Sequence, residues 1–190
     1  RNGEQLAIED SASPICGDHD DVLGIVLVFR DVSAQRQMVG EISYRATHDD
    51  LTGLVNRAEF ENRLRKVLKK SQDEGGENAV LFIDLDQFKL VNDACGHSVG
   101  DQLLRQTAKL FGNAIRASDT LARLGGDEFA IILERCNAEQ ALRVGQKICA
   151  QMDDYRFFHD GLRFRVGASI GLVPVDNRWD SISAILQAAD

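Results

Sequence analysis

The chain has 190 residues, of which 44% are hydrophobic, so it is large and apolar enough for one globular domain and a smaller unit. Its 30 acidic residues outnumber 22 basic ones and give a formal net charge of −8, which argues against binding nucleic acid or an anionic membrane through a general basic field. No apolar run approaches the ~20 residues of a membrane span, and the four cysteines lack C-x-x-C spacing. We therefore expect a cytoplasmic protein with reduced thiols and no membrane contact within this chain, whether or not its parent protein is anchored.

The N-terminal residues indicate β-structure. A turn-rich stretch, 16–21, precedes the apolar run 23–30, and together they predict two or three strands. The sequence motif G-x-V-x-V-F-R-D-V-S at 24–33 resembles the end of a PAS sensory domain. Residues 1–33 are interpreted on that basis as the C-terminal strands of a PAS domain, and the alternative is an ordinary hairpin.

Residues 34–47 predict a connecting helix. Met38, Val39, Ile42 and Ala46 recur near helical spacing, which is typical of an amphipathic helix. Such a helix would bring two copies of the next domain together if it paired with its twin. Fewer than three heptads are visible, so a lone solvated linker helix is the alternative.

A second domain is predicted from residue 48 onwards. Its first helix would pack one apolar face, Phe60, Leu64, Val67 and Leu68, against a core. The continuous apolar run 79–83 predicts a central buried strand that ends in carboxylates, and ligands of open α/β sheets commonly bind at strand ends. Further helices are expected over 101–115, over 138–152 and from near 179, and a hairpin over 163–173 around two glycines. This mixture predicts an α/β or α+β fold with a central mixed sheet flanked by helices.

A second hairpin is predicted over 120–133. Gly125 and Gly126 supply the positive φ angles of a tight turn, which places Asp127 and Glu128 at its tip. Alone, such a turn is more often a solvated surface feature. If it meets the strand that ends at Asp84, however, carboxylates ~4 Å apart would repel by about 4 kcal/mol at an effective dielectric of ~20, so a cation would occupy the cluster. Oxygen ligands suit Mg²⁺ or Mn²⁺ with a phosphorylated substrate, as in phosphoryl or nucleotidyl transfer.

Five ordered motifs resemble those of the GGDEF family of diguanylate cyclases over residues 48–190. They are Asp50-Leu51-Thr52-Gly53-Leu54 with Asn56-Arg57, Asp84-x-Asp86-x-Phe88-Lys89-x-x-Asn92-Asp93, Gly96-His97-x-x-Gly100-Asp101, Gly125-Gly126-Asp127-Glu128-Phe129 and Ser169-Ile170-Gly171. The resemblance implies a palm-like fold that joins two GTP molecules into cyclic di-GMP and pyrophosphate between two subunits of a homodimer. The family pattern continues past Asp190 with a basic helix, so the expectation is a domain truncated at its C-terminus.

The resemblance also implies roles for individual residues. Mg²⁺ or Mn²⁺ would be held by Asp84, the Leu85 carbonyl, Asp127 and Glu128, and catalysis would involve Asp127 as base with Glu128 and Lys89. The substrate-binding residues would be Phe88, Asn92, His97, Asp101, Gly125 and Gly126. An inhibitory site for the product would be formed by Arg116 and Asp119, in an R-x-x-D pattern that five residues separate from Gly125.

Two other functions stay open on the sequence alone. A GGDEF domain that only binds GTP could regulate a cyclic di-GMP phosphodiesterase attached to it in the parent chain. A purely structural dimerisation module would bind no nucleotide. The intact Asp127 and Glu128 favour catalysis over both.

Overall fold

The computed structural model describes residues 6–16 and 22–188. They fall into two units, Arg1–Arg45 and Ala46–Asp190. The start of the predicted PAS segment at 1–5, the core of the predicted turn at 17–21 and the final residues 189–190 lie outside the described residues. No helix of the described residues is long and apolar enough to cross a membrane.

The first unit contains a β-hairpin followed by a helix. Strand β1 (Ile8–Cys16) pairs antiparallel with β2 (Val22–Asp31), and helix α1 (Ser33–Thr47) covers the helix predicted for 34–47. Met38, Val39 and Ile42 are exposed by 63%, 61% and 69%, so the apolar positions of α1 are uncovered in a single chain. The strands agree with the predicted β-structure, while their assignment to a PAS domain and the role of α1 as a linker stay predictions.

The second unit is built from five helices and six strands among its described residues. In chain order they are α2 (Arg57–Glu74), β3 (Asn78–Asp86), α3 (Phe88–Cys95), α4 (His97–Gly112), β4 (Thr120–Gly125), β5 (Glu128–Leu133), α5 (Ala138–Asp154), β6 (Phe157–His159), β7 (Leu162–Phe164), β8 (Gly167–Val175) and α6 (Ile182–Gln187).

Strand β3 occupies an inner position of the main sheet, whose order is β4-β5-β3-β8. Neighbouring strands run antiparallel, and an isolated parallel bridge joins Val55 to Ala122. Because side chains alternate along a strand, Val80 packs on one face with Phe60 and Leu64 of α2, whereas Leu81 packs on the other with the helices α4 and α5. The predicted α+β fold, with its sheet flanked by helices, is confirmed, but the paired strands of the sheet are all antiparallel, whereas the prediction was a mixed sheet.

The hairpin predicted over 163–173 is wrong. Strand β7 pairs with β6 across a turn at Asp160 and Gly161, whose φ angles are 45° and 78°, and β8 pairs with β3 along its whole length. Asp-Gly is the stronger hairpin signal, because both turn residues adopt positive φ. A Cβ on Gly167 would lie 2.5 Å from an Asp86 carboxylate oxygen, so this glycine permits a close approach instead of a turn.

Helix boundaries also differ from the prediction. The helix predicted over 101–115 starts at His97, and the short helix α3 before it was not predicted. The last helix begins at Ile182, three residues beyond Trp179, because the hydroxyl of Ser181 caps its N-terminus by accepting from the Ala184 amide.

Candidate functional site

The candidate site is built where β3 meets the hairpin β4–β5. The register places Ile83 opposite the buried Phe129 and Asp84 opposite Glu128. Gly125 and Gly126 have φ angles of 144° and 53°, as predicted, so the chain turns tightly before Asp127. The structure thus brings two acidic segments that are distant in the sequence, at Asp84 and Glu128, to the same end of the sheet.

The electrostatics at this end of the sheet, around Asp84, favour a cation. Although Asp84 reaches solvent, partial burial raises the pKa of its carboxyl, and the negative charges of Asp127, Glu128 and Asp86 raise it further. A raised pKa means that the surroundings disfavour the ionised form. A bound cation would reverse that preference.

The donor set fits a hard divalent ion such as Mg²⁺. Within the part of the chain that the structure describes, no three acidic, histidine or cysteine side chains form a ready-made metal cage. Mg²⁺ does not require one, because it is usually held by one or two carboxylates together with water and substrate phosphates. Leu85 is 1% exposed, so its side chain belongs to the core and only its backbone carbonyl is suited to act as a ligand.

A cleft of about 700 Å³ opens beside these carboxylates. It lies between α2, the strand ends and α6, and both apolar and charged side chains line it. Its lining residues are Arg57, Phe60, Glu61, Phe82, Ile83, Asp84, Leu124, Glu128, Phe129, Ser169, Ile170, Gly171 and Leu186. Of the predicted site residues, Asp84 and Glu128 line this cleft.

A second group of predicted residues meets between α3 and α4. Gly100 lies so close to Asn92 that a Cβ on the glycine would come within 2.0 Å of Asn92 Oδ1 and 3.2 Å of the Phe88 ring. Asn92 Oδ1 is buried and has no protein partner. A buried unpaired carbonyl is costly, so this atom is suited to accept a hydrogen bond from a ligand.

Two further predicted substrate residues, His97 and Asp101, lie on α4 on either side of Gly100 in the sequence, whereas Gly125 and Gly126 belong to the β4–β5 turn. His97 is the first residue of α4 and is exposed, and Asp101 lies half-buried one residue after Gly100. Lys89 is exposed on α3. Gln87, just before α3, adopts a left-handed conformation with a φ of 62°, which is uncommon outside glycine and frequent near functional sites.

A hydrogen-bond network that the sequence did not indicate holds the turn before Asp127. Arg123 donates to both carboxylate oxygens of Asp49 at 3.0 and 3.1 Å, and to the carbonyl of Gly126 at 2.8 and 3.1 Å. Thr52 donates to Asp49 from its amide and its hydroxyl. The Asp-x-x-Thr turn was visible in the sequence, but its partner 74 residues away was not.

Arg57 is a second residue whose role the sequence did not reveal. Its Nε donates to the Leu124 carbonyl at 3.2 Å, and its guanidinium pairs with Glu128 at 3.3 Å. The arginine therefore contacts the β4–β5 hairpin at both its backbone and its acidic side chain.

Arg116 and Asp119 form a turn away from the cleft. The Arg116 amide donates to an Asp119 carboxylate oxygen at 2.9 Å, and the Asp119 amide donates back to the Arg116 carbonyl at 3.0 Å. Both line a separate cavity of about 310 Å³ that also includes Arg143. Because α4 ends at Gly112, Arg116 does not cap that helix.

Residues 46–190 match the family described as "Diguanylate cyclase, GGDEF domain", and the chain belongs to that family. The resemblance inferred from the five motifs is therefore confirmed, whereas the PAS resemblance stays a prediction.

Individual relatives agree with the family. The chain is 42% identical over 190 residues to the probable diguanylate cyclase DgcE of Escherichia coli, covering 100% of this chain and 17% of the relative. It is 34% identical over 184 residues to the cyclic di-GMP phosphodiesterase PdeB of Shewanella oneidensis, covering 96% of this chain and 21% of the relative. The chain thus spans only about a fifth of these relatives.

A solved structure agrees in fold. The coiled coil and GGDEF domain of DgcB from Caulobacter crescentus, in complex with c-di-GMP, superposes with a TM-score of 0.76 at 26% identity, covering 84% of each chain.

Proposed function

We propose that the domain condenses two GTP molecules into cyclic di-GMP and pyrophosphate. The observation that carries this proposal is the pairing of Asp84 with Glu128 across β3 and β5, next to Asp127, in a member of the diguanylate cyclase family. The raised pKa of Asp84 supports a cation between these groups. GTP is a cytoplasmic nucleotide, so the proposal includes a cytoplasmic location for this domain.

The reaction needs two attacks, each by the 3′-hydroxyl of one GTP on the α-phosphate of the other, and each attack forms one phosphodiester bond and displaces one pyrophosphate. Asp84, Asp127, Glu128 and the Leu85 carbonyl would hold Mg²⁺ or Mn²⁺. When bound, the metal ion supplies Lewis-acid stabilisation of the phosphate charge. Asp127 would accept the proton of the attacking hydroxyl, because its carboxylate lies near enough to Asp84 to raise the pKa of that group.

The other site residues would position the nucleotide. Lys89 would neutralise phosphate charge, while the Gly125–Gly126 turn lets the backbone approach the substrate. Asn92 and Asp101 would read the guanine edge, since the carboxylate accepts from the N1–H and amino donors of guanine and the buried Asn92 Oδ1 offers an acceptor. Phe88 and His97 would line the same pocket.

Two domains would act together, each holding one GTP, because one hairpin site accommodates one nucleotide. The exposed apolar positions of α1 support pairing with a second copy. The expected result is a specific activity that rises with protein concentration towards a plateau. A constant specific activity down to full dissociation would contradict a homodimeric active form.

Feedback by the product is part of the proposal. Arg116 is suited to grip guanine or phosphate with its fork of donors, and Asp119 can accept from base donors. Their cavity is distinct from the cleft at Asp84, which supports inhibition that is noncompetitive with GTP.

A second function is favoured by one relative. PdeB is named a cyclic di-GMP phosphodiesterase, which supports a GTP-binding regulatory domain that controls an attached phosphodiesterase. The two functions differ in the fate of GTP, which a regulatory domain binds without consuming.

The deciding experiment is incubation with GTP and Mg²⁺, followed by identification of the product by chromatography and mass spectrometry. It should be carried out on the chain and on its full-length parent in parallel. Cyclase function predicts cyclic di-GMP from GTP, none from ATP, and loss of product in Asp127→Asn. Binding of GTP without product in both proteins would support the regulatory function and sink the cyclase assignment.

A further inference from the structure

The cleft beside Asp84 has an unbalanced set of charges. Among the described residues that line it, Arg57 is the one arginine or lysine, whereas Glu61, Asp84 and Glu128 contribute three carboxylates. A triphosphate that enters this cleft brings several more negative charges. Any basic group already present therefore has a large effect on whether phosphate can bind.

Arg57 is held at the cleft by its backbone and by two contacts. It is the first residue of α2, where the Asn56 side chain caps the helix by accepting from the Glu59 amide at 3.0 Å. From this fixed position its Nε donates to the Leu124 carbonyl, while the rest of the guanidinium contacts Glu128 at 3.3 Å.

The contact between Arg57 and Glu128 is suited to exchange. The two side chains are 57% and 53% exposed, and an ion pair of such exposure adds little net stability. The guanidinium also makes only one contact to Glu128 among the bonds described, which leaves part of its donor fork for another acceptor. A phosphate group is a better partner, because it offers several charged oxygens in the geometry that a guanidinium matches.

We propose that Arg57 is a phosphate-binding residue of this site, which exchanges its contact with Glu128 for the phosphate chain of an incoming nucleoside triphosphate. The inference rests on the proposed function only in requiring that a nucleotide occupies the cleft. Without nucleotide, Arg57 partly neutralises Glu128. When nucleotide is bound, Arg57 binds the phosphate chain and Glu128 becomes free to hold a cation.

The test is a comparison of two ligands by calorimetry in the presence of Mg²⁺. One is a GTP analogue with a methylene group between the α- and β-phosphates, which cannot be cleaved there, and the other is guanosine. Arg57→Ala should lower the affinity for the analogue by roughly tenfold or more, as expected for a lost charge-assisted contact, and should leave the affinity for guanosine within about twofold of the wild-type value. Arg57→Lys should recover part of the affinity, because it keeps the charge but loses the fork.

Arg63→Ala is the matched control on the same helix. Arg63 pairs with Glu59 at 2.9 Å and with the Thr120 hydroxyl at 3.3 Å, and it does not line the cleft. Its replacement should leave the affinities for both ligands unchanged. If Arg63→Ala lowered the affinity for the analogue as much as Arg57→Ala does, the effect would belong to α2 in general and the proposal would fail.

Other outcomes are equally decisive. Unchanged affinity of Arg57→Ala for the analogue, equal loss for analogue and guanosine, or no binding of the analogue by the wild-type chain would each overturn the role of Arg57. The assay needs no turnover. A chain that binds the analogue through Arg57 but makes no cyclic di-GMP would therefore contradict the cyclase proposal and leave this inference standing.

Discussion

Arg123 joins Asp49 to the Gly126 carbonyl, and so connects the first turn of the second unit with the turn that carries Asp127. The guanidinium binds both Asp49 oxygens and the Gly126 carbonyl, and only 13% of the Arg123 side chain and 21% of the Asp49 side chain are exposed. The shape of the turn before Asp127 is thus fixed by a residue that lies outside it.

Replacing Arg123 should destabilise the fold and disturb the site. Arg123→Ala leaves the largely buried Asp49 carboxylate without its main cationic partner, so the free energy of unfolding should fall by about 2 kcal/mol. Urea denaturation measures this change. The control is Arg165→Ala, whose ion pair with Asp153 is 67% and 61% exposed and should contribute less than about 1 kcal/mol. Equal losses in both variants would contradict the structural role of Arg123.

Asp49 should make stability depend on acid pH. Burial by itself would raise the pKa of Asp49, but hydrogen bonds from Thr52 and Arg123 outweigh it and lower the pKa below its usual 3.8. A lowered pKa gives stability that is present above pH 3.8 and lost as the pH falls through the folded-state value. The difference in unfolding free energy between wild type and Asp49→Asn should therefore shrink below that pH. Parallel curves from about pH 6 to pH 3 would contradict this prediction.

Gly100→Ala should block the pocket at Asn92. The new Cβ would lie 2.0 Å from Asn92 Oδ1, so the amide must move and GTP binding should weaken by roughly tenfold or more. Calorimetric titration of GTP measures the effect. Gly112→Ala is the matched control on the same helix, because a Cβ added there would meet nothing within 4 Å, and it should leave GTP affinity unchanged. Wild-type affinity in Gly100→Ala would show that guanine binds elsewhere.

Asp84→Asn should weaken binding of the divalent cation. The substitution keeps the shape of the side chain but removes the charge that Mg²⁺ needs, so Mn²⁺ affinity should fall by more than about tenfold and turnover should be lost. Electron paramagnetic resonance of free Mn²⁺ reports the affinity directly. The control is Glu139→Gln, which removes a charge that is 77% exposed on α5 and does not line the cleft, and it should have no effect. Unchanged Mn²⁺ affinity in Asp84→Asn would remove Asp84 from the metal site.

Arg116→Ala should weaken the binding of cyclic di-GMP. Loss of a charge-assisted fork predicts a decrease of roughly tenfold or more, with uninhibited activity retained because Arg116 does not line the cleft at Asp84. Calorimetric titration of cyclic di-GMP into wild type and variant measures this. The control is Arg163→Ala, on the exposed strand β7. Equal affinity in wild type and Arg116→Ala, or no binding to either, would contradict a product site at Arg116. Arg116 and Asp119 would then have only a structural role in the turn that they form.

The sequence predicted best those parts of the site whose signals are local. The apolar run before Asp84 lies within one strand, and the glycines before Asp127 form the turn between two consecutive strands, so strand burial and turn geometry could be read directly from neighbouring residues. The meeting of Asp84 with Glu128 was a hypothesis that the strand register bears out.

Contacts between distant residues were beyond such reasoning. Nothing near Arg123 indicates that its partner is Asp49, and nothing near Arg57 indicates Glu128, because the partners are 74 and 71 residues apart in the sequence and only the tertiary fold brings them together. Gly167 was misassigned for a related reason. A glycine required by a neighbouring strand's side chain looks the same in the sequence as a glycine required by a turn.

The position of β3 between two partners has a consequence for insertions and deletions. Asp84 is paired with Glu128 on one side and Ser169 on the other, while the next residue, Leu85, is buried in the core. Removing one residue upstream within β3 would exchange the two faces of the strand, so a carboxylate would enter the core and a leucine would take its place at the cleft. Length changes in this strand should therefore abolish folding and activity together, whereas the loop 75–77 before it can absorb them.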